Sequence, residues 1–240
     1  MNLNPALIKY NIDYYIRSVR YLPPLLLFVA FLGINYQVAP IGIWSNLHIT
    51  LIAIFILSSW VGVSFVNSED KTQQYITRLH INNEITYHLS KIISIVVFLI
   101  PFYAITFLIP LLQGSFMRNL LLSEVFVYAI VYFLIGLLGI AIGVFFNSDI
   151  FFGEMAILAH LVVISVIVIP FNVIFNDNPL IVYAYTMLPP INFLAQRLHD
   201  LDDGVFIMDI NFLIFVLYSL VYSLVLIGAY IFVIRKKSKQ

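Results

Sequence analysis

The sequence predicts an all-α membrane protein with six transmembrane helices. An interfacial amphipathic helix precedes the first span, a cytoplasmic helix joins the second and third, and broken external helices precede the sixth. Three observations predict this: six long apolar runs, sparse charge, and a one-sided distribution of lysine and arginine. The runs cover 22–38, 47–66, 92–112, 125–146, 155–175 and 210–234. Each approaches the ~20 helical residues that cross ~30 Å of hydrocarbon at ~1.5 Å per residue. The chain is 62% hydrophobic and only 10% charged, against about 25% charged residues in a soluble domain.

Six crossings put both termini on one face. That face receives Lys9, Arg17, Arg20, Lys71, Arg78, Lys91, Arg235, Lys236, Lys237 and Lys239, ten of the twelve basic residues. The other receives Arg118 and Arg197 alone. By the positive-inside rule the basic face is cytoplasmic. The net charge of zero hides this opposition, because the acids divide evenly between the faces. No basic excess suggests a nucleic-acid partner. The spans consume most of 1–240, which reads as one transmembrane domain with no room for a separate soluble one. With no cysteine, disulfides and thiolate chemistry are excluded. The first run lacks a small-residue cleavage site and reads as a span rather than a signal peptide.

Residues 5–21 form the interfacial helix. Asn4-Pro5 pairs a capping residue with a proline at the first helical position. Ile8, Ile12, Tyr15, Ile16 and Val19 share one face, while Lys9, Asp13, Arg17 and Arg20 share another. Such a helix lies among headgroups, its bases toward anionic lipid, and serves at least as an anchor.

The longest cytoplasmic segment, 67–91, keeps a helical pattern in two pieces. Tyr75, Ile76 and Leu79 make a short apolar stripe, a turn follows at Asn82-Asn83, and Ile85 and Leu89 lead into the third span. A solvated connector needs fewer residues than this, so the segment is a candidate grip for a partner protein. The acidic loop 147–154 is a shorter second contact. Residues 176–209 lie outside the cell. Their apolar stretch is interrupted by Pro189-Pro190, and an odd span count would place Arg235–Lys239 outside, so two short re-entrant helices are expected there.

Ionisable residues are nearly absent from the spans, and only His160 sits well within one. It reads as a helix-packing or hydrogen-bonding histidine ahead of a proton carrier, because no carboxylate accompanies it in a span. Gly136, Gly139 and Gly143 in the fourth run mark a close helix approach, to a helix of this or another copy. Pro101, Pro110 and Pro170 permit kinks. No phosphate-binding loop, zinc motif, serine-nucleophile motif or intramembrane carboxylate pair is present, which disfavours an enzyme and any bound cofactor or metal.

Together these parts resemble the permease subunit of an ABC transporter of the ABC-2 (type V) class, similar to bacterial exporters of antimicrobial or amphipathic peptides. The resemblance covers the layout of nearly the whole chain and is most specific from Glu69 to Lys91. An acid after the second span, an amphipathic helix around Ile76–Leu79, a leader at 81–83 and a lysine opening the third span occupy the family's places. The family's proline and arginine in that leader are missing.

The resemblance implies two paired permeases, identical or homologous, in the bacterial cell membrane. Each seats a separate ATPase subunit that carries the ATP and Mg. Glu69, Tyr75, Ile76, Arg78, Leu79, Asn82 and Glu84 would carry the coupling. The first, second and fifth spans would line a hydrophobic path, making Ser59, Trp60 and His160 candidate cargo-path residues. Nearly uncharged spans suit a hydrophobic or amphipathic cargo, with a membrane-active peptide the leading expectation. An ion-driven secondary transporter and a non-transporting scaffold or sensor are the alternatives.

Overall fold

In hydrocarbon each backbone N–H and C=O needs an internal partner, so long apolar runs settle as helices. The computed structural model describes residues 5–37, 39–81, 83–146, 150, 154–168, 189, 191 and 210–237. They form eight named helices: α1 (Pro5–Arg17), α2 (Leu22–Asn35), α3 (Ile43–Val66), α4 (Lys71–Ile81), α5 (Glu84–Leu112), α6 (Leu122–Phe145), α7 (Glu154–Val168) and α8 (Ile210–Lys237). No strand occurs among the described residues; one isolated bridge pairs Ile41 with Phe116.

Helices α3, α5, α6 and α8 are each long and apolar enough to cross a membrane, and α1 with α2, bent by 80°, would make a fifth span if counted as one. The protein is thus an all-helical, multi-pass membrane protein with four or five such helices among its described residues. The expected broken helices in 176–209, the loop 147–154, Asn82 and Pro170 fall largely or wholly outside those residues.

The first apolar run departs from expectation. Helix α2 stops at Asn35 after 14 residues, about 21 Å at helical rise. The chain then turns and runs extended beside the α5–α6 connection, where Ile41 N–H donates to the Ser115 carbonyl (2.8 Å) and Met117 N–H to the Ile41 carbonyl (3.2 Å). These bonds satisfy backbone that a longer helix would have satisfied internally. Helix α1 is also shorter than 5–21. It ends at Arg17, and Val19 adopts a positive φ of 60°. Val19 and Ile16 are exposed, while Asn11 and Tyr15 are buried. The docked face of α1 is therefore polar at its centre. Asn11 Nδ2 donates to Ser90 Oγ (3.2 Å) and Ser94 Oγ (3.4 Å) on α5, and Tyr15 and Ser64 share a hydrogen bond of 3.0 Å.

The core lies between α3 and α6, the most extensively packed helix pair. A Cβ added to Gly139 would come within 2.7 Å of the Phe55 carbonyl oxygen, and one on Gly143 would overlap the Ser59 carbonyl oxygen. One on Gly62 would stand 3.3 Å from Gly143 Cα. Only a hydrogen atom fits at Gly139 and Gly143, and Gly62 is nearly as tight, so the two backbones touch. The partner of Gly139 and Gly143 is thus α3 of the same chain. Gly136 instead makes room for the Tyr103 hydroxyl of α5, which bonds Ser58 Oγ at 2.8 Å.

Candidate functional site

The end of the bundle that carries most of the basic residues is built around Glu69. Helix α3 ends at Val66, and three residues later this carboxylate turns inward, 5% exposed. Lys91 Nζ on α5 lies 2.8 Å from Oε2. Tyr87 donates its hydroxyl to the same oxygen at 2.5 Å. Thr77 on α4 donates to Oε1 at 3.1 Å, and Tyr10 on α1 donates to it at 3.4 Å. The Glu69 carbonyl accepts from Gln74 Nε2 at 2.8 Å. One carboxylate therefore ties the α3–α4 corner to α1, α4 and α5.

Burial pushes the Glu69 carboxyl upward, but the Lys91 ammonium and the Lys91, Tyr87 and Thr77 hydrogen bonds outweigh it, and the group titrates below its ordinary range. The surrounding cations lie over the Tyr87 ring: Lys91 Nζ at 4.6 Å and the Arg78 guanidinium carbon at 5.2 Å from its centroid. The neighbouring His88 extends the network to the last helix, its Nδ1 sharing a 3.1 Å hydrogen bond with the Tyr230 hydroxyl.

Helix α4 hangs from this node. Its inner side holds Gln74 and Thr77, and its outer side presents Tyr75 (66% exposed), Ile76 (42%) and Leu79 (62%). Three large apolar side chains on a polar-end helix form a patch with no covering element among the described residues. The Asn83 side chain caps α5, accepting from Ile85 N–H (3.0 Å) and Thr86 N–H (3.3 Å). Glu84 opens α5, in the first turn, where a negative charge suits the helix dipole.

The interfacial bases divide. Lys9 and Arg17 are exposed along α1, whereas Arg20 donates to the Asn67 carbonyl at the α3 terminus. Asn67 Nδ2 in turn donates to the Phe146 carbonyl at 3.2 Å, joining the ends of α3 and α6.

Of the three candidate cargo-path residues, Ser59 and His160 meet and Trp60 lies apart from them. Ser59 Oγ and His160 Nε2 share a 2.8 Å hydrogen bond between α3 and α7, and the imidazole packs 5.1 Å from the Phe146 ring. Trp60, the next residue, is 37% exposed and lines an apolar cleft between α2 and α3. Among the described residues no cluster of acids and histidines is placed to hold a metal ion.

Sequence reasoning named Glu69 and Lys91 separately, each by its place in a pattern, and missed that they pair. It missed Tyr87, Tyr10 and Thr77 altogether. An acid and a lysine flanking an amphipathic helix at the mouth of two spans was the available signal. No protein-family model, curated protein or solved structure matches the chain.

Proposed function

We propose that this chain is the transmembrane permease subunit of an ATP-driven exporter of the ABC-2 type. In this reading it crosses the bacterial cytoplasmic membrane six times with both termini inside, α8 making the last crossing. Two copies, or one copy and a homologous permease, pair in the membrane, and each seats a separate ATPase that binds ATP and Mg. The cargo is hydrophobic or amphipathic, and a membrane-active peptide suits the uncharged spans best.

The observation that carries this reading is the mounting of α4. Its exposed Tyr75, Ile76 and Leu79 offer a partner an apolar foothold, and its inner side is bonded to a buried ion pair shared with α1 and α5. A helix gripped from outside and fastened inside transmits displacement. Motion of α4 would pull on Glu69 at the end of α3, on Lys91 at the start of α5, and through His88 on Tyr230 of α8. A merely solvated connector has no use for an exposed apolar stripe on a hydrogen-bonded base.

The test is purification of the tagged chain from its native membrane. An ATPase should accompany it, and its turnover should rise in the complex. A chain that purifies alone from cells that express its genomic neighbours would sink the proposal.

A further inference from the structure

Helices α2 and α3 together line an apolar cleft of about 310 Å³. Pro24, Phe28 and Phe31 of α2 and Ile49, Ala53 and Trp60 of α3 define its walls, which are almost entirely apolar. Ile49 and Trp60 span eleven residues of one helix, so the cleft runs about 16 Å along α3. That is close to the ~15 Å depth of one leaflet's hydrocarbon. Its length and its apolar lining suit one acyl chain.

The cleft has a charged mouth. Trp60 and Ser64 occupy the same face of α3, one turn apart, and Ser64 Oγ donates to the Arg20 carbonyl at 3.3 Å. Arg20 also stands one turn before Pro24, the first cleft residue of α2. Its guanidinium is exposed and uses one of five donors on the Asn67 carbonyl. Lys9 and Arg17 add positive charge to the exposed side of α1, against the single acid Asp13. An indole at the end of an apolar slot, with an arginine just beyond it, matches the order of chain, interface and phosphate in a phospholipid.

We propose that this cleft holds one acyl chain of an acidic glycerophospholipid, with Arg20 on its phosphate. The occupant is a lipid rather than a second copy of the chain because an apolar slot of acyl-chain length ends at a basic mouth. The site requires the membrane orientation proposed above but not ATP coupling, so loss of ATPase stimulation leaves it standing.

The experiment reconstitutes the full chain into bilayers of phosphatidylcholine containing increasing fractions of chain-brominated phosphatidylglycerol, or of chain-brominated phosphatidylcholine. Bromine quenches indole fluorescence on contact. The chain has two tryptophans, of which Trp44 is buried, and subtraction of the Trp60→Phe signal isolates Trp60. Half-maximal quenching of Trp60 should need roughly fivefold less brominated phosphatidylglycerol than phosphatidylcholine, the preference expected for one interfacial cation. Arg20→Gln should bring the ratio to about one, and Arg20→Lys should retain most of it. Ala53→Phe, which fills the slot, should weaken quenching by both lipids. Equal quenching by the two lipids, or a preference unchanged in Arg20→Gln, would overturn the proposal. Weak quenching by both that strengthens as protein is diluted would overturn it in favour of a second copy in the cleft.

Discussion

The α3–α6 seam and the Glu69 node both fasten α3 to its neighbours, but by opposite means. Along the seam, Gly139 and Gly143 let backbone meet backbone, with no side chain between the helices at those positions to rearrange. At the node, long polar side chains from three helices and a corner converge on one carboxylate. Close backbone packing has one good geometry and resists sliding. A hydrogen-bonded ion pair keeps its partners while its side chains swing, but it fails badly when one member is lost. The contrast teaches a division of labour: a stiff α3–α6 frame, with the moving attachment at the end of α3 where α4 and α5 meet.

The largest test of this contrast is Gly143→Leu. The obstacle is the backbone of Ser59 and Val63, so the cost should exceed the ~1–3 kcal/mol of ordinary overpacking and leave little folded protein. Gly33 and Gly228 have nothing within 4 Å of a built Cβ, and alanine at either should shift stability by under about 1 kcal/mol. Thermal melting in detergent reads both. Equal tolerance at Gly143 and Gly33 would dissolve the frame.

Next comes Glu69→Gln. It strands a lysine that is 5% exposed at its side chain, for an expected loss of about 3–5 kcal/mol. Adding Lys91→Met should recover most of the stability, yet should not restore coupling to a partner on α4. Acid titration sharpens the same point. Because the folded carboxyl titrates low, its stabilising contribution is complete above the ordinary value of 4.5. It is lost as pH falls below that value and through the folded one. Melting temperature should therefore drop in acid in the wild type, with this component missing from Glu69→Gln.

Ser59→Ala should have a smaller effect. It removes the bond to His160 Nε2, and about 1–2 kcal/mol is expected for an imidazole nitrogen left without its partner. If the pair only packs, activity should follow stability, with no new pH dependence.

Composition and run length made the helical membrane class legible, and periodicity made α4 legible, because Tyr75, Ile76 and Leu79 recur at helical spacing. The N-terminal proline located the start of α1. What periodicity missed was the polar face of α1, since Asn11 looks solvent-facing until Ser90 and Ser94 are brought opposite it. The pairing of Glu69 with Lys91 depends on how the α4 hairpin folds back, a three-dimensional fact. The early end of α2 was hidden for a related reason. The apolar run reads on past Asn35, but Tyr36 and Gln37 only close the last turn on the Leu32 and Ile34 carbonyls, and Ile41 pairs its backbone with Ser115 and Met117 instead. Local pattern describes elements well and cannot say which of them meet.

The central claim is that α4 receives a motor's force through its exposed stripe while Glu69 passes it inward. Ile76→Glu with Leu79→Glu tests it most directly, because both side chains face outward and their replacement should leave the melting temperature nearly unchanged. ATP hydrolysis by the complex purified from the native membrane is the measurement. The account expects the doubly substituted chain to fold, insert and lose the accompanying ATPase activity. A variant that folds normally and retains wild-type hydrolysis would contradict it.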